Sequence, residues 1–97
     1  MSYDTLNLAE ESSGSLRAYY HTIDITALDG AGTEPYNPGS RFGVAVDGVG
    51  IVGQGDETYA VTYDHVADAL KVRNLADGTA VAAGTAVGEV ILRVEGK

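Results

Sequence analysis

The chain has 97 residues, of which 14 are acidic, six are basic and none is cysteine, and its formal net charge is −8. This length is sufficient for one small domain with one core and too short for a large enzyme with a buried cleft. The lack of cysteine excludes a disulfide framework and thiolate metal sites. The scarcity of basic residues argues against nucleic acid as a partner, because such binding requires a basic surface.

The acidic residues are distributed over nearly every segment, and the two lysines are Lys71 and Lys97. A scattered acidic surface destabilises the compact state by self-repulsion unless salt screens it, and the Debye length falls to about 3 Å at 1 M salt. This composition favours a halophilic protein, with an ordinary acidic domain as the alternative. No segment near Met1 has the apolar core of a signal peptide, and no stretch approaches the ~20 apolar residues of a membrane-spanning helix. We therefore expect no cleaved leader and no membrane partner.

Residues 1–15 are polar and end in a run of acidic, serine and glycine residues. They predict an extended N-terminal arm, which has room for one helical turn over residues 6–10, and the remaining residues 16–97 predict one domain. The candidate contacts of the arm with a neighbouring molecule are Tyr3, Leu6 and Leu8.

After the arm the pattern changes to a period of two, which is typical of a half-buried strand. One face of this strand contains Tyr19, His21, Ile23, Ile25 and Ala27. In that position His21 is expected to be a hydrogen-bonded histidine at the edge of the core. The following loop contains both prolines, and two apolar runs, Phe42–Val46 and Val49–Val52, predict strands separated by a turn or bulge at Asp47.

The stretch Thr58–Asn74 predicts a β-hairpin, because two alternating segments flank a short connection with Asp64 and Asp68 at its ends. Thr79–Ala83 predicts a strand of small residues. The last strand is predicted to direct Val90, Leu92 and Val94 inward. Several short strands separated by Gly and Asp turns predict an all-β fold, a small antiparallel β-sandwich or barrel.

No constellation of residues predicts a catalytic, cofactor or metal site. His65 lies between Asp64 and Asp68, and we expect a turn in which the aspartates cap backbone N–H groups while His65 is solvated. The acidic turns lack the ligand spacing of a calcium-binding loop, and no serine occupies a nucleophile elbow. The chain is therefore expected to be neither an enzyme nor a cofactor binder.

Two surface regions are candidate interfaces. The alternation directs Lys71, Arg73 and Arg93 outward together with Ile91, which could form a docking face for an acidic partner. Cross-strand pairing with Glu89 and Glu95 is the alternative, worth only ~0.2–1 kcal/mol per pair. The second region is the Pro/Gly loop with Tyr36 and Arg41, where an aromatic on a rigid loop often marks a contact, although Tyr36 could also fold back over the end of the sandwich.

The stretch from Phe42 onward resembles small structural proteins of tailed viruses of bacteria and archaea. The residues that carry the resemblance are Val61-Thr62-Tyr63-Asp64, Asp68-Ala69-Leu70-Lys71-Val72, Asp77 to Thr85 and the closing strand Val90 to Val94. The resemblance covers somewhat more than half of the chain, and its motifs are hairpin patterns rather than catalytic signatures.

The resemblance implies a β-rich capsid decoration or cement protein, which binds the major capsid protein on the virion surface, often as a trimer. Together with the acidic composition, the resemblance implies a virus of a haloarchaeal host, and a bacteriophage stays open as the alternative. Two other functions stay open: a tail, neck or baseplate component, and a β-sandwich that binds a carbohydrate or receptor.

Overall fold

The structure is a computed structural model; it describes residues 3–13 and 16–97, with the backbone alone for residues 12 and 13. Within these residues the chain forms seven strands and one short helix. In chain order they are β1 (Tyr3–Ser13), β2 (Leu16–Ile25), β3 (Thr33–Pro35), α1 (Pro38–Phe42), β4 (Val46–Gln54), β5 (Tyr59–Asp64), β6 (Ala69–Asn74) and β7 (Gly88–Gly96).

The strands form two antiparallel sheets, which confirms the predicted all-β fold. The larger sheet has the order β1-β2-β7-β4, and the smaller sheet has the order β3-β6-β5. β4 and β5 are consecutive along the chain and lie at the edges of different sheets. The chain thus crosses from one sheet to the other between Gln54 and Tyr59, and this crossing creates an open side of the sandwich.

One core lies between the sheets, and the period-two pattern of the strands accounts for it. β2 buries Ile23 and Ile25, β7 buries Leu92 and its neighbours two residues away, and β6 buries Leu70 and Val72. Burial of a side chain of this size contributes about 1.5–3 kcal/mol. The prediction that Ala27 belongs to the inward face of β2 is wrong, because this strand ends at Ile25 and Ala27 is exposed.

The described part of the predicted arm is an edge strand of the larger sheet. β1 is antiparallel to β2 from Tyr3, opposite Ile25, to Ser13, opposite Leu16, and the register shifts between Thr5 and Asn7. The expected helical turn over residues 6–10 is wrong, because these residues form a strand whose backbone is paired with β2.

Residues 38–42 form a helix, so the predicted strand Phe42–Val46 is wrong. The side chain of Asn37 accepts a hydrogen bond from the Ser40 N–H (3.2 Å), Pro38 occupies the first turn, and Gly43 ends the helix with φ of 64°. These are ordinary start and stop signals of a helix. Among the described residues, no helix has the length and hydrophobicity to cross a membrane.

The rest of the chain follows the predicted pattern, with one exception. The β5–β6 hairpin forms with Asp64 opposite Ala69, and the register of β4 against β7 shifts at Asp47, where a turn or bulge was predicted. The predicted strand Thr79–Ala83 is wrong, because the segment makes one isolated bridge between Arg73 and Ala80. The Asn74 N–H donates to the Thr79 carbonyl (2.8 Å) and the Val81 N–H to the Val72 carbonyl (3.3 Å), whereas the Gly32 N–H donates to the Val81 carbonyl (2.7 Å). The segment is thus shared between β6 and the loop before β3.

Candidate functional site

The four residues of the predicted docking face lie on two different sheets. Lys71 and Arg73 are on β6 of the smaller sheet, and Ile91 and Arg93 are on β7 of the larger sheet. The outer faces of two stacked sheets point in opposite directions. The four residues therefore do not form one surface, and the prediction of a common docking face is wrong.

Arg93 is engaged within the chain. Its Nε donates to Oε1 of Glu95 at 2.8 Å, Glu11 lies 3.9 Å away, and its guanidinium lies 4.9 Å from the centre of the Tyr20 ring. Glu95, with smaller contributions from Tyr20 and Glu11, raises the pKa of Arg93 above its ordinary value. Arg93 and Glu95 are both on β7, so this ion pair lies within one strand and is not the cross-strand pair of the alternative prediction. It holds Arg93 over the outer face of β7 and β2.

Tyr3 and Tyr36 are buried, with 8% and 1% of their surface exposed. They offer little surface to a partner, so the structure corrects their prediction as contact residues, and Tyr36 takes the alternative of folding back over the end of the sandwich. Arg41 is exposed on α1 and donates from Nη2 to Oγ1 of Thr5 at 2.9 Å. It thereby joins the helix to β1.

His21 is the centre of a buried polar network. Its side chain is fully buried; Nδ1 lies 2.7 Å from the Tyr36 hydroxyl, and Nε2 lies 2.8 Å from Oγ1 of Thr5. The Phe42 ring packs edge-on against the imidazole, with centres 5.6 Å apart. The prediction of a hydrogen-bonded histidine in this position is confirmed.

The hydrogen bonds assign the tautomer of His21. Within the described residues, the Tyr36 hydroxyl has Nδ1 of His21 as its one hydrogen-bond partner, so we assign its O–H as the donor. Nε2–H then donates to Thr5, whose oxygen also accepts from Arg41. Burial, and secondarily the positive charge of Arg41, lowers the pKa of His21 to about 4. Burial likewise raises the pKa of Tyr36. Both groups are neutral at pH 7.

Glu34 is a buried carboxyl group that the sequence did not mark. It lies on β3, is fully buried, and accepts a hydrogen bond at Oε1 from the Asp29 N–H at 3.1 Å. It also contributes to the raised pKa of Tyr3, for which burial is the main cause. These buried groups lie at the end of the sandwich that α1 covers, and they include Glu34, Tyr3 and the His21 network. They belong to the protein interior rather than to an accessible site.

The turn around His65 has the predicted cap at Asp64, whereas Asp68 accepts a hydrogen bond from the Tyr63 hydroxyl. Oδ1 of Asp64 accepts from the N–H groups of Val66 (2.9 Å) and Ala67 (3.2 Å), and these bonds lower the pKa of Asp64. His65 is exposed. Nowhere in the described part of the chain do three or more His, Cys, Asp or Glu side chains form a group suited to a metal ion.

The open side of the sandwich has the main candidate surface. We call it the seam and define it by the edges of β4 and β5 with the adjoining Leu75. Apolar residues that are partly buried against the core reach the surface between the two edges. A cleft of about 450 Å³ in the seam is lined by Ile51, Val52, Gly53, Gln54, Glu57, Tyr59, Ala60 and Leu75. Val52 and Leu75 are 54% and 65% exposed.

A second cleft, of about 480 Å³, adjoins the seam beside the β5–β6 turn, and it is more polar. It is lined by Val46, Asp47, Gly48, Val49, Tyr63, His65 and Asp68. The Tyr63 hydroxyl donates to Oδ1 of Asp68 at 2.8 Å, and burial together with this carboxylate raises the pKa of Tyr63 to about 12. The cleft is open to solvent and suits a polar ligand.

Leu6 and Leu8 are exposed on β1, at the opposite edge of the larger sheet from β4. Their exposed fractions are 53% and 46%. Leu6 lies where the register of β1 and β2 shifts, and Leu8 is opposite His21. These two predicted contact residues are accessible, unlike Tyr3.

The seam was not predicted from the sequence. Residues 48–55 and 58–63 contain no charged side chain, but neither does the longer stretch 78–88, so the lack of charge does not single out the seam. Local patterns also do not show which strands form the edges of a sheet, and the seam is defined only by the strand order.

Comparisons with protein-family models, with curated proteins and with solved structures found no match.

Proposed function

We propose that the chain is a non-enzymatic structural protein of a tailed virus particle, of the decoration type described above, and that it binds the outer surface of the major capsid protein lattice as a homo-oligomer. The observation that carries the proposal is the exposure of Leu6 and Leu8 on β1 and of Val52 on β4, the two edge strands of the larger sheet. In a chain of net charge −8, apolar groups at strand edges favour contact with other protein surfaces.

The placement of the acid–base groups favours binding rather than catalysis. A general base must reach a proton of its substrate, whereas His21 is fully buried and hydrogen-bonded to Tyr36 and Thr5. The aspartate beside His65 is engaged in capping its own turn.

The resemblance of the stretch from Phe42 onward directs the proposal to the capsid surface. The hairpin that carries much of this resemblance is formed by β5 and β6. A lattice multiplies weak contacts into stable attachment, because many symmetric copies bind together. The acidic surface suits a salt-rich environment, and we include a homotrimer and a haloarchaeal host in the proposal.

Particle fractionation tests the proposal. Particles are purified on a density gradient in molar salt and separated from the cytosol of infected cells, and the chain is quantified against the major capsid protein. We expect the chain in the particle fraction at a copy number comparable to that of the capsid lattice. Its presence in the cytosol alone would overturn the proposal.

The polar cleft favours one other function, recognition of a carbohydrate or a receptor. Tyr63, His65, Asp47 and Asp68 provide an aromatic ring and hydrogen-bonding groups in one open cleft, a combination that ligand sites use for orientation. A glycan array probed in molar salt tests this function. Binding that is lost in Tyr63→Ala would support it, and an array without a hit would count against it.

A further inference from the structure

We propose that the seam of one copy binds the β1 edge of a second copy, so that the larger sheet continues from molecule to molecule. This inference rests on the self-association named in the proposed function and identifies the surfaces that associate. It commits to a heterologous, head-to-tail contact, in which each molecule contributes β1 to one neighbour and its seam to the other.

The strand order supplies the first argument. β1 and β4 are the two edges of the same four-stranded sheet. Since each neighbouring pair in that sheet is antiparallel, β1 and β4 run in opposite directions. When a second copy continues the sheet in the same orientation, its β1 is antiparallel to β4. The contact then forms an antiparallel ladder, which is interrupted where the register shifts between Thr5 and Asn7 on β1 and between Ile51 and Gly53 on β4.

The exposed apolar residues supply the second argument. Leu6 and Leu8 are exposed on the β1 edge of the larger sheet, and Val52 and Leu75 are exposed on the seam. Both edges of this sheet therefore offer apolar surface. A head-to-tail contact brings these two sets together. A twofold contact between two seams would leave Leu6 and Leu8 in solvent.

The charge pattern supplies the third argument and favours pairing of β1 with the seam over pairing of β1 with β1 of another copy. Two molecules of net charge −8 repel each other over most of their surfaces, but the seam edges at residues 48–55 and 58–63 have no charge. β1 contains Asp4, Glu10 and Glu11. Pairing β1 with β1 would oppose these acids directly, whereas pairing β1 with the seam opposes them to neutral strands.

The geometry also predicts how salt affects the contact. The neutral part of the seam is bounded by Asp47 at one end of β4 and by Asp56 beyond the other, and β1 is acidic on both sides of its leucines. The apolar centre is therefore flanked by acids of both molecules. Screening of these acids should strengthen association in molar salt.

Charge-introducing variants test the contact. The association constant is measured by sedimentation equilibrium in molar salt for Leu8→Asp, Val52→Asp and, as a matched control, Val66→Asp on the β5–β6 turn, where Val66 is 82% exposed. We expect the first two variants to weaken association by at least about tenfold and Val66→Asp to leave it unchanged. Circular dichroism verifies that each variant is folded.

Mixing the two weakened variants tests the head-to-tail geometry. Leu8→Asp retains an intact seam and Val52→Asp retains an intact β1, so an equimolar mixture should form one-to-one dimers while each variant alone is monomeric. A twofold seam contact predicts instead that Leu8→Asp associates like the wild type. Normal association of Val52→Asp, or no complex in the mixture, would overturn the proposal.

Cysteine cross-linking provides a second measurement, because the chain has no native cysteine. The double variant Leu8→Cys/Val52→Cys should form intermolecular disulfides under mild oxidation, and Val52→Cys alone should not. A wild type that is monomeric at every salt concentration would overturn this inference and leave particle fractionation to decide the virion assignment. Association through the seam by a chain that is absent from particles would overturn the virion assignment alone.

Discussion

Protonation of His21 should make the protein unstable in mild acid. The imidazole has a pKa of about 4 in the folded chain and 6.5 as an ordinary histidine. As the pH falls below 6.5, the unfolded chain binds a proton that the folded chain excludes, and the free energy of unfolding decreases. The decrease continues to about pH 4, where the folded chain is protonated as well. The difference between the two pKa values corresponds to about 3 kcal/mol.

The structure gives a physical reason for the exclusion of this proton. Nε2–H of His21 already donates to Thr5, and Nδ1 accepts from the Tyr36 hydroxyl. A proton on Nδ1 would face the hydroxyl hydrogen of Tyr36, so the hydroxyl would have to turn away. The new charge would also be buried near the Arg41 guanidinium, which lowers the same pKa.

Urea unfolding between pH 7 and pH 4.5 measures the effect, with tyrosine fluorescence as the signal since the chain has six tyrosines and no tryptophan. We expect the wild type and His65→Gln to lose stability over this range. His21→Gln should be less stable at pH 7 and nearly independent of pH, because it has no proton to gain at this site. A wild type with constant stability from pH 7 to 4.5, or an unchanged pH dependence in His21→Gln, would refute the reasoning.

Three further predictions concern the fold. A Cβ at Gly96 would lie 2.5 Å from the Ala45 carbonyl oxygen, so Gly96→Ala should lower the free energy of unfolding by about 1–3 kcal/mol. A Cβ at Gly50 would meet open space, so Gly50→Ala should change the free energy of unfolding by no more than about 0.5 kcal/mol. Urea titrations of both variants measure the difference. Leu70→Ala removes a fully buried side chain and should cost about 2–5 kcal/mol, and a calorimetric midpoint close to that of the wild type would contradict the core assignment. The thermal midpoint should rise in molar NaCl, by about 4–8 °C for each kcal/mol of relieved repulsion, and equal midpoints in dilute buffer and molar salt would remove the halophile hypothesis.

Strands with one buried, apolar face and one exposed, polar face could be predicted from the sequence. β2 and β7 alternate between apolar and polar residues, and a period of two reports the buried face locally. The β5–β6 hairpin was predictable for a second local reason, because Asp64 supplies the capping oxygen that its turn requires.

Short or irregular segments were predicted less well. α1 has five residues, too few for a 3.6-residue period, although Asn37, Pro38 and Gly43 are readable as its start and stop signals. Residues 79–83 look like a strand, but two of their backbone hydrogen bonds go to β6 and another goes to Gly32, so no continuous ladder forms.

The candidate surfaces depended on information that local patterns do not contain. The alternation predicts that Lys71 and Arg93 point outward, but it does not show which sheet each strand joins, and β6 and β7 belong to different sheets. The pairing of His21 with Tyr36 likewise joins a strand to a loop 15 residues away. Sheet membership is set by the whole chain, so the seam emerges only with the strand order.

Immunogold labelling of intact particles tests the central claim most directly, because it locates the chain on the virion. Antibodies are raised against the folded protein and applied to purified particles in molar salt, with Val66 and its exposed turn available as an epitope away from the proposed contacts. The account predicts gold over the outer surface of the heads. Gold confined to the tails, or particles without label beside labelled cytosol, would contradict it.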